Sequence, residues 1–203
     1  MKIVCVGRNY VEHAKELNNE VPKEPVIFMK PKSALFTFNK PYYYPEFTLD
    51  LQYECELVLR ICKNGKYIQE KFARNYFDKM TVGIDFTARD IQERLKAKGL
   101  PWEMAKAFDN SAAVGKFVDV TPETRLDNLS FSLFKDKELV QNGNSANMIF
   151  SIEALVSYIS QYFTLNIGDL IFTGTPAGVG PIEPGETLEA YLGQEKLLEL
   201  EVK

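Results

Sequence analysis

The stretch LQYECELVLR, residues 51–60, limits what this chain can fold into more than any other. It reads as one β-strand, and alternation across the strand sends Glu54 and Glu56 out on one face while Tyr53, Cys55, Leu57 and Leu59 leave on the other. The strand rise puts the two glutamate β-carbons roughly 6 to 7 Å apart. With an effective dielectric of about 20, two full charges at that spacing repel by about 2–3 kcal/mol. On a solvated strand water and salt absorb this repulsion. On a buried strand, either one carboxyl stays protonated or a cation lies between them. The apolar opposite face, and the continuation into Val58 and Ile61, favour burial.

A third acid strengthens that expectation. Asp85 stands in VGIDFT, an apolar strand where an aspartate is a poor strand former and costly to bury unpaired, although it can also serve as a cap for the helix that follows. Three carboxylates with no histidine or thiolate on the same face select a hard divalent ion, Mg²⁺ first, with Mn²⁺ or Ca²⁺ as alternatives and zinc disfavoured. Cys55 points the other way and is not expected as a ligand. The only histidine, His13, lies three residues before Glu16 in HAKE. The two are neighbours on one helical face, as a solvated surface pair or as a dyad that holds an imidazole ready to take a proton.

Arg89 and Gln92 repeat the spacing on a later helix, where Arg89 has Glu93 as an alternative partner, and Lys106 follows in LPWEMAKAF as a site group or as surface charge. GTPAGVG, residues 174–180, lacks the Gly-Lys-Ser/Thr ending and the following helix of a phosphate loop. A turn whose backbone N–H groups receive a carboxylate, assisted by Thr173 and Thr175, stays open.

Around these residues the pattern predicts an α+β fold of mixed or antiparallel sheet, in one domain over 1–203. KIVCV opens as a strand, Asn9 is a candidate cap for a helix to about Leu17 with Glu12 completing the box, and PVIFMKP, ALFTF and PYYYP are short extended pieces. Asn64-Gly65 predicts a hairpin turn after the Glu54 strand, and a helical turn or two is expected over 71–78. TVGIDFT then feeds a helix that Gly99 stops, and FSLFKDKELVQNG forms a hairpin. Ser151 caps a helix burying Ile152, Leu155, Val156, Ile159 and Phe163, and a closing antiparallel hairpin ends the chain.

The formal net charge of −4, with no basic run interleaved with aromatics, argues against nucleic acid and anionic membranes as partners. Cys5, Cys55 and Cys62 are odd in number, without CxxC spacing, and suit buried reduced thiols. The first apolar run is too short for a signal peptide, so a cytoplasmic location is expected, in which the formal sequon at Asn128 would be idle.

These segments together resemble the fumarylacetoacetate hydrolase family, in particular its short acylpyruvase and oxaloacetate decarboxylase-like branch. The resemblance runs through CVGRNYVEHAKE, PVIFMKP, YECEL, GIDFTARDIQ, GLPWEMAKAFD, NMIFSIEALVSYIS and GDLIFTGTPAGVG, covering nearly the whole chain. It implies a mixed β-sandwich or roll with short peripheral helices, usually a homodimer, and a divalent metal on Glu54, Glu56 and Asp85. It also implies a dyad of His13 and Glu16 on a lid helix, with Arg89, Gln92, Lys106 and the Thr173-Gly174-Thr175 turn around a small 2-oxo acid substrate. The extra N-terminal domain of larger fumarylacetoacetases is not part of the match, which points away from fumarylacetoacetate itself. The expected activity is Mg²⁺-dependent C–C hydrolysis of an acylpyruvate through a pyruvate enolate. Oxaloacetate decarboxylation and keto–enol tautomerisation are alternatives on the same site, and a non-catalytic metal-binding module is the alternative of another class.

Overall fold

A computed structural model describes residues 1–17, 19–37 and 40–203. The chain opens with β1 (Ile3–Gly7), α1 (Val11–Glu16), β2 (Val26–Lys30) and β3 (Leu35–Thr37). The last residue of ALFTF, Phe38, lies outside the described residues. β4 (Leu51–Tyr53) and β5 (Cys55–Ile61) follow, and a 3-10 turn over Glu70–Tyr76 leads into β6 (Phe77–Asp85), β7 (Thr87–Ala88), α2 (Arg89–Ala97) and α3 (Glu103–Lys106). Then come β8 (Ala112–Val114), β9 (Val118–Asp119), β10 (Ser130–Lys135), β11 (Glu138–Asn144) and α4 (Ile152–Tyr162). β12 (Leu170–Phe172), β13 (Gly180–Pro181), β14 (Thr187–Leu192) and β15 (Glu195–Glu201) complete the chain.

The large sheet runs β2-β1-β12-β5-β6-β8-β3, with β9 paired to β6, and curls as a half-barrel. A four-stranded sheet, β11-β10-β14-β15, and a small one, β13-β4-β7, accompany it. β1–β12 and β3–β8 are parallel and the other named pairings antiparallel, so the fold is the expected α+β, mixed-sheet one with few helices. The apolar face of β5 supplies the main packing. Cys55 and Leu57 join Leu133, Ala190 and Leu198 of the four-stranded sheet, while Leu59 and Ile61 meet Leu155, Val156 and Ile159 of α4. Each such side chain contributes about 1.5–3 kcal/mol on full burial. No helix among the described residues is long and apolar enough to cross a membrane.

Local signals hold where the chain is short-range and yield where tertiary partners compete. Ser151 accepts from the N–H of Ala154 as an N-cap, Gly99 leaves α2 at φ +64°, and Asp136 and Lys137 turn the β10–β11 hairpin at φ +48° and +71°. Asn9 does not cap α1. Its side chain donates to the carbonyls of Phe150 and Thr173 and accepts from the Phe150 N–H, so it fastens β1 to the β12 loop, and Tyr10 occupies the N-cap position with no side-chain bond. Asn64-Gly65 is not a tight hairpin either: Gly65 bridges to Leu165 and Asn64 accepts from the Ile167 N–H, while the 3-10 turn makes the longer β5–β6 connection. Phe163 ends α4 at 37% exposure instead of facing inward, and Cys62 is half-buried while Cys5 and Cys55 are buried; all three thiols are free.

Candidate metal centre and active-site cavity

The run 51–60 is not one continuous strand. It breaks at Glu54, with β4 in the small sheet and β5 in the large one, and β6 and β7 break at the matching place, Phe86. The N–H of Asp85 donates to the Glu54 carbonyl at 2.8 Å, which ties the two acids together through their backbones at the bend. Glu56 opposes Gly83 in the ladder. One carboxylate oxygen from each of Glu54, Glu56 and Asp85 lies within 4.8 Å of the others, at exposures of 6%, 1% and 0%.

Burial of three acids is offset unevenly. Lys106 Nζ donates to Glu54 Oε2 at 2.8 Å, Asp85 Oδ2 at 2.9 Å and Thr87 Oγ1 at 2.6 Å. Arg89 donates from Nη2 to Glu54 Oε1 at 2.6 Å, from Nη1 to Gln92 Oε1 at 2.5 Å and from Nε to Gln52 Oε1 at 2.9 Å, so it serves the centre and not Glu93. Burial alone would raise the Glu54 pKa, but the Lys106 and Arg89 cations outweigh it and hold the carboxyl well below the usual carboxylate range. Burial would likewise lower Lys106, yet Asp85 and Glu54 keep its ammonium charged, above the ordinary lysine value.

Glu56 has no cation within ion-pair distance among the described residues. Its Oε2 accepts only the Gly174 N–H, at 2.6 Å. Burial, then Asp85 and Glu54, push its pKa well up, so its charged form is disfavoured without a further cation. Gly174 reaches it from φ +101°, and a β-carbon there would come within 2.6 Å of Asn9 Cβ, so only glycine fits. The carboxylate received by the turn is therefore the protein's own.

The donor set fits a hard dication. All three donors are carboxylate oxygens, Glu56 lacks a cation, and Asp85 Oδ1 is buried with no directed hydrogen bond, although Lys30 Nζ stands 2.7 Å away as its ion pair. The nearby thiols do not compete. Burial, followed by Asp85 for Cys5 and Glu56 for Cys55, holds both protonated.

Beside the acids lies a cavity of about 30 Å³, bounded by His13, Arg89, Gln92, Lys106 and Thr175 with Glu54 at its floor. His13 Nδ1 is 3.2 Å from Glu16 Oε2, and Glu16 Oε1 accepts the Gly178 N–H at 2.9 Å, so the pair also pins α1 to the β12–β13 loop. The Thr175 hydroxyl donates to the Cys55 carbonyl at 2.8 Å, whereas the Thr173 hydroxyl is spent on the Leu57 carbonyl at 3.0 Å and does not border the cavity. A wider surface groove of about 700 Å³ along β15 shares none of these residues.

Four contributors were not singled out from the sequence. Lys30, fully buried at the end of β2, pairs with Asp85 and donates to the carbonyl of Lys106 and to Ser111. Gln52 orients Arg89, and Asn9 holds the Thr173 carbonyl. Gln141 accepts from the Cys55 N–H at 2.8 Å and donates to Thr175 Oγ1 at 2.9 Å and the Pro176 carbonyl at 3.0 Å. One signal was readable: a lysine closing the apolar run VIFMK, in a chain with a surplus of buried acids, is a natural counter-ion.

Comparison with known proteins supplies the context. A family model described as fumarylacetoacetate (FAA) hydrolase C-terminal matches residues 2–203. The mitochondrial oxaloacetate decarboxylase of Dictyostelium discoideum is 42% identical over 189 residues, 93% of this chain and 87% of that protein. The mitochondrial oxaloacetate tautomerase of Mus musculus is 42% identical over 204 residues, 99% of this chain and 91% of that one. The crystal structure of fumarylpyruvate hydrolase from Pseudomonas aeruginosa in complex with Mn²⁺ and pyruvate superposes with a TM-score of 0.94 at 37% identity, covering 100% of this chain and 89% of that one.

Proposed function

The chain belongs to the fumarylacetoacetate hydrolase family, and from that premise we propose that it is a divalent-metal-dependent enzyme acting on a small 2-oxo acid, with keto–enol tautomerisation of oxaloacetate as its leading reaction. The observation that carries the metal-dependent chemistry is the convergence of Glu54, Glu56 and Asp85 beside a cavity that also holds His13 and Lys106. The likeness to an oxaloacetate tautomerase and an oxaloacetate decarboxylase puts the tautomerisation ahead of the acylpyruvate hydrolysis first expected. Glu54, Glu56 and Asp85 would hold the ion, Mg²⁺ by donor chemistry. Bound there, it supplies positive charge opposite the negative charge that develops on a 2-oxo oxygen.

The chain's own residues do the rest. Arg89, oriented by Gln52 and Gln92, holds Glu54 in place, and the Lys106 ammonium adds a buried positive charge next to the reacting end of the substrate. His13, with Nδ1 engaged by Glu16, keeps Nε2 for the cavity. Tautomerisation removes the enol O–H proton and adds one at C3. In the enol-to-keto direction the enol O–H proton leaves to water while the His13 imidazolium gives one to C3 and regains one from water, so the proton count is unchanged. The Glu16 carboxylate stabilises the imidazolium. Decarboxylation of oxaloacetate draws on the same electron sink and needs no base.

Acylpyruvate hydrolysis is the second reading. The likeness to the P. aeruginosa fumarylpyruvate hydrolase favours it, as does the His13–Glu16 pair, which is placed to take a proton from water. A purely structural metal site explains neither His13 nor Lys106 at the cavity. The homodimer implied by the resemblance and the cytoplasmic location expected from the sequence belong to this proposal and are read out by light scattering and cell fractionation.

The test follows ketonisation of enol-oxaloacetate by ultraviolet absorbance, CO₂ release from oxaloacetate and cleavage of acetylpyruvate, each with Mg²⁺, with EDTA and after Mg²⁺ is restored. We expect ketonisation to be fastest, lost in EDTA and recovered with Mg²⁺. Turnover equal in EDTA, or no turnover of all three compounds, contradicts the proposal.

A further inference from the structure

The cavity carries more positive charge than its carboxylates account for. Arg89 and Lys106 are committed to Glu54 and Asp85, but Arg8 and Lys96 line the same space and neither has an ion-pair partner among the described residues. Lys96 Nζ, on the inner side of α2, donates to Asn19 Oδ1 at 3.2 Å, and Arg8 makes no hydrogen bond among the described residues. Both are half-buried. Arg8 sits at φ +60°, a left-handed conformation uncommon for a residue with a side chain, in the turn where β1 gives way to α1. Burial, then Arg8 and Arg89, lower the Lys96 pKa, against a smaller opposing effect of Glu93.

An apolar tail has a different candidate berth. A cleft of about 300 Å³ lined by Val26, Ile27, Met29, Leu100 and Pro101 lies beyond Phe28, Trp102 and Lys106, which border both spaces. Those two rings meet edge to face at 5.9 Å between centroids and stand between the cavity and the cleft. From Lys106, which borders both spaces, the charged direction is toward Arg8 and Lys96 and the apolar one toward the cleft.

We propose that Arg8 and Lys96 form a second anion subsite that receives the distal carboxylate of a short dicarboxylic 2-oxo acid, so that the enzyme prefers such dianions to 2-oxo acids with uncharged tails. This deepens the proposed function and rests on it for the placement of the substrate's 2-oxo head. At about 30 Å³ the cavity holds roughly one water, so ligand binding also requires its lining to move apart.

The experiment measures equilibrium binding of an isosteric pair, 2-oxoglutarate and 5-methyl-2-oxohexanoate, to the Mg²⁺-loaded full chain by calorimetry at two ionic strengths. Arg8→Gln and Lys96→Gln are compared with wild type after their melting temperatures are checked. A charge-assisted hydrogen bond gives roughly ten- to hundredfold in affinity, so the wild type should favour 2-oxoglutarate by about that ratio, less at high salt, and each variant should reduce the ratio toward unity. A merely structural role would weaken both ligands equally and leave the ratio where it was. That outcome, an equal or reversed preference in wild type, or no binding of either ligand, overturns the subsite. Failure of the proposed reaction is seen separately, as absence of turnover in a protein whose binding ratio is intact.

Discussion

The two faces of β5 are built from one short run of sequence and do opposite things. On one, Cys55, Leu57, Leu59 and Ile61 are fully buried among aliphatic and aromatic side chains. That face stabilises the fold through area removed from water, without directional demands. On the other, Glu56 and, at the strand's broken end, Glu54 are buried against Asp85, where each charge costs several kcal/mol unless it is paired. The acid face is held by partners that arrive from elsewhere: Lys106 from α3, Arg89 from α2, Lys30 from β2 and the Gly174 N–H, joined by the dication of the proposed function. A strand can thus be a packing element and the floor of an active site at once, and the two roles separate by substitution.

The largest expected effect comes from breaking the acid face. Glu54→Gln should lower kcat/KM for oxaloacetate by about 10³-fold or more and abolish the rise in melting temperature that Mg²⁺ produces in wild type. Activity retained within tenfold would show that Glu54 does not serve the ion. Lys106→Met is next. It removes the ammonium that neutralises Glu54 and Asp85, so turnover should fall by about 10²-fold while Mg²⁺ binds at least as tightly, as read by calorimetry. A parallel loss of Mg²⁺ affinity would assign Lys106 to holding the ligands and not to the reaction.

The apolar face responds in another currency. Leu57→Ala should cost about 2–5 kcal/mol in denaturant unfolding yet leave the Mg²⁺ stoichiometry and KM unchanged in the folded fraction. Smaller still is Gln141→Leu, which strands the Cys55 N–H and the Pro176 carbonyl at about 1–3 kcal/mol for a buried unsatisfied group. Because Gln141 also bonds Thr175, this variant should raise KM several-fold with kcat less affected. An unchanged KM would confine Gln141 to stability.

Much of this was legible from local rules. Strand alternation alone put Glu54 and Glu56 on one face, an acid inside an apolar strand marked Asp85, and spacing of three brought His13 to Glu16 and Arg89 to Gln92. Spacing left Arg89 with two possible partners, and only the fold, by setting β4 beside α2, chose Glu54 over Glu93. The partners of Lys30 and Gln141 were hidden for the same reason: they lie 34 and more residues away, and nothing local records the pairing. Asn9 shows a local preference overridden, since a cap is worth about 1 kcal/mol and three bonds, two to Phe150 before α4 and one to Thr173 after β12, outcompete it.

The claim on which all of this depends is that one ion sits between residues 54, 56 and 85. Crystals grown with Mn²⁺ and pyruvate, measured at the manganese absorption edge, test it most directly. One anomalous peak with carboxylate oxygens of Glu54, Glu56 and Asp85 all in coordination contact is the predicted result. A map with no peak among them, or with the manganese elsewhere and the Lys106 ammonium still filling the space between Glu54 and Asp85, would contradict it.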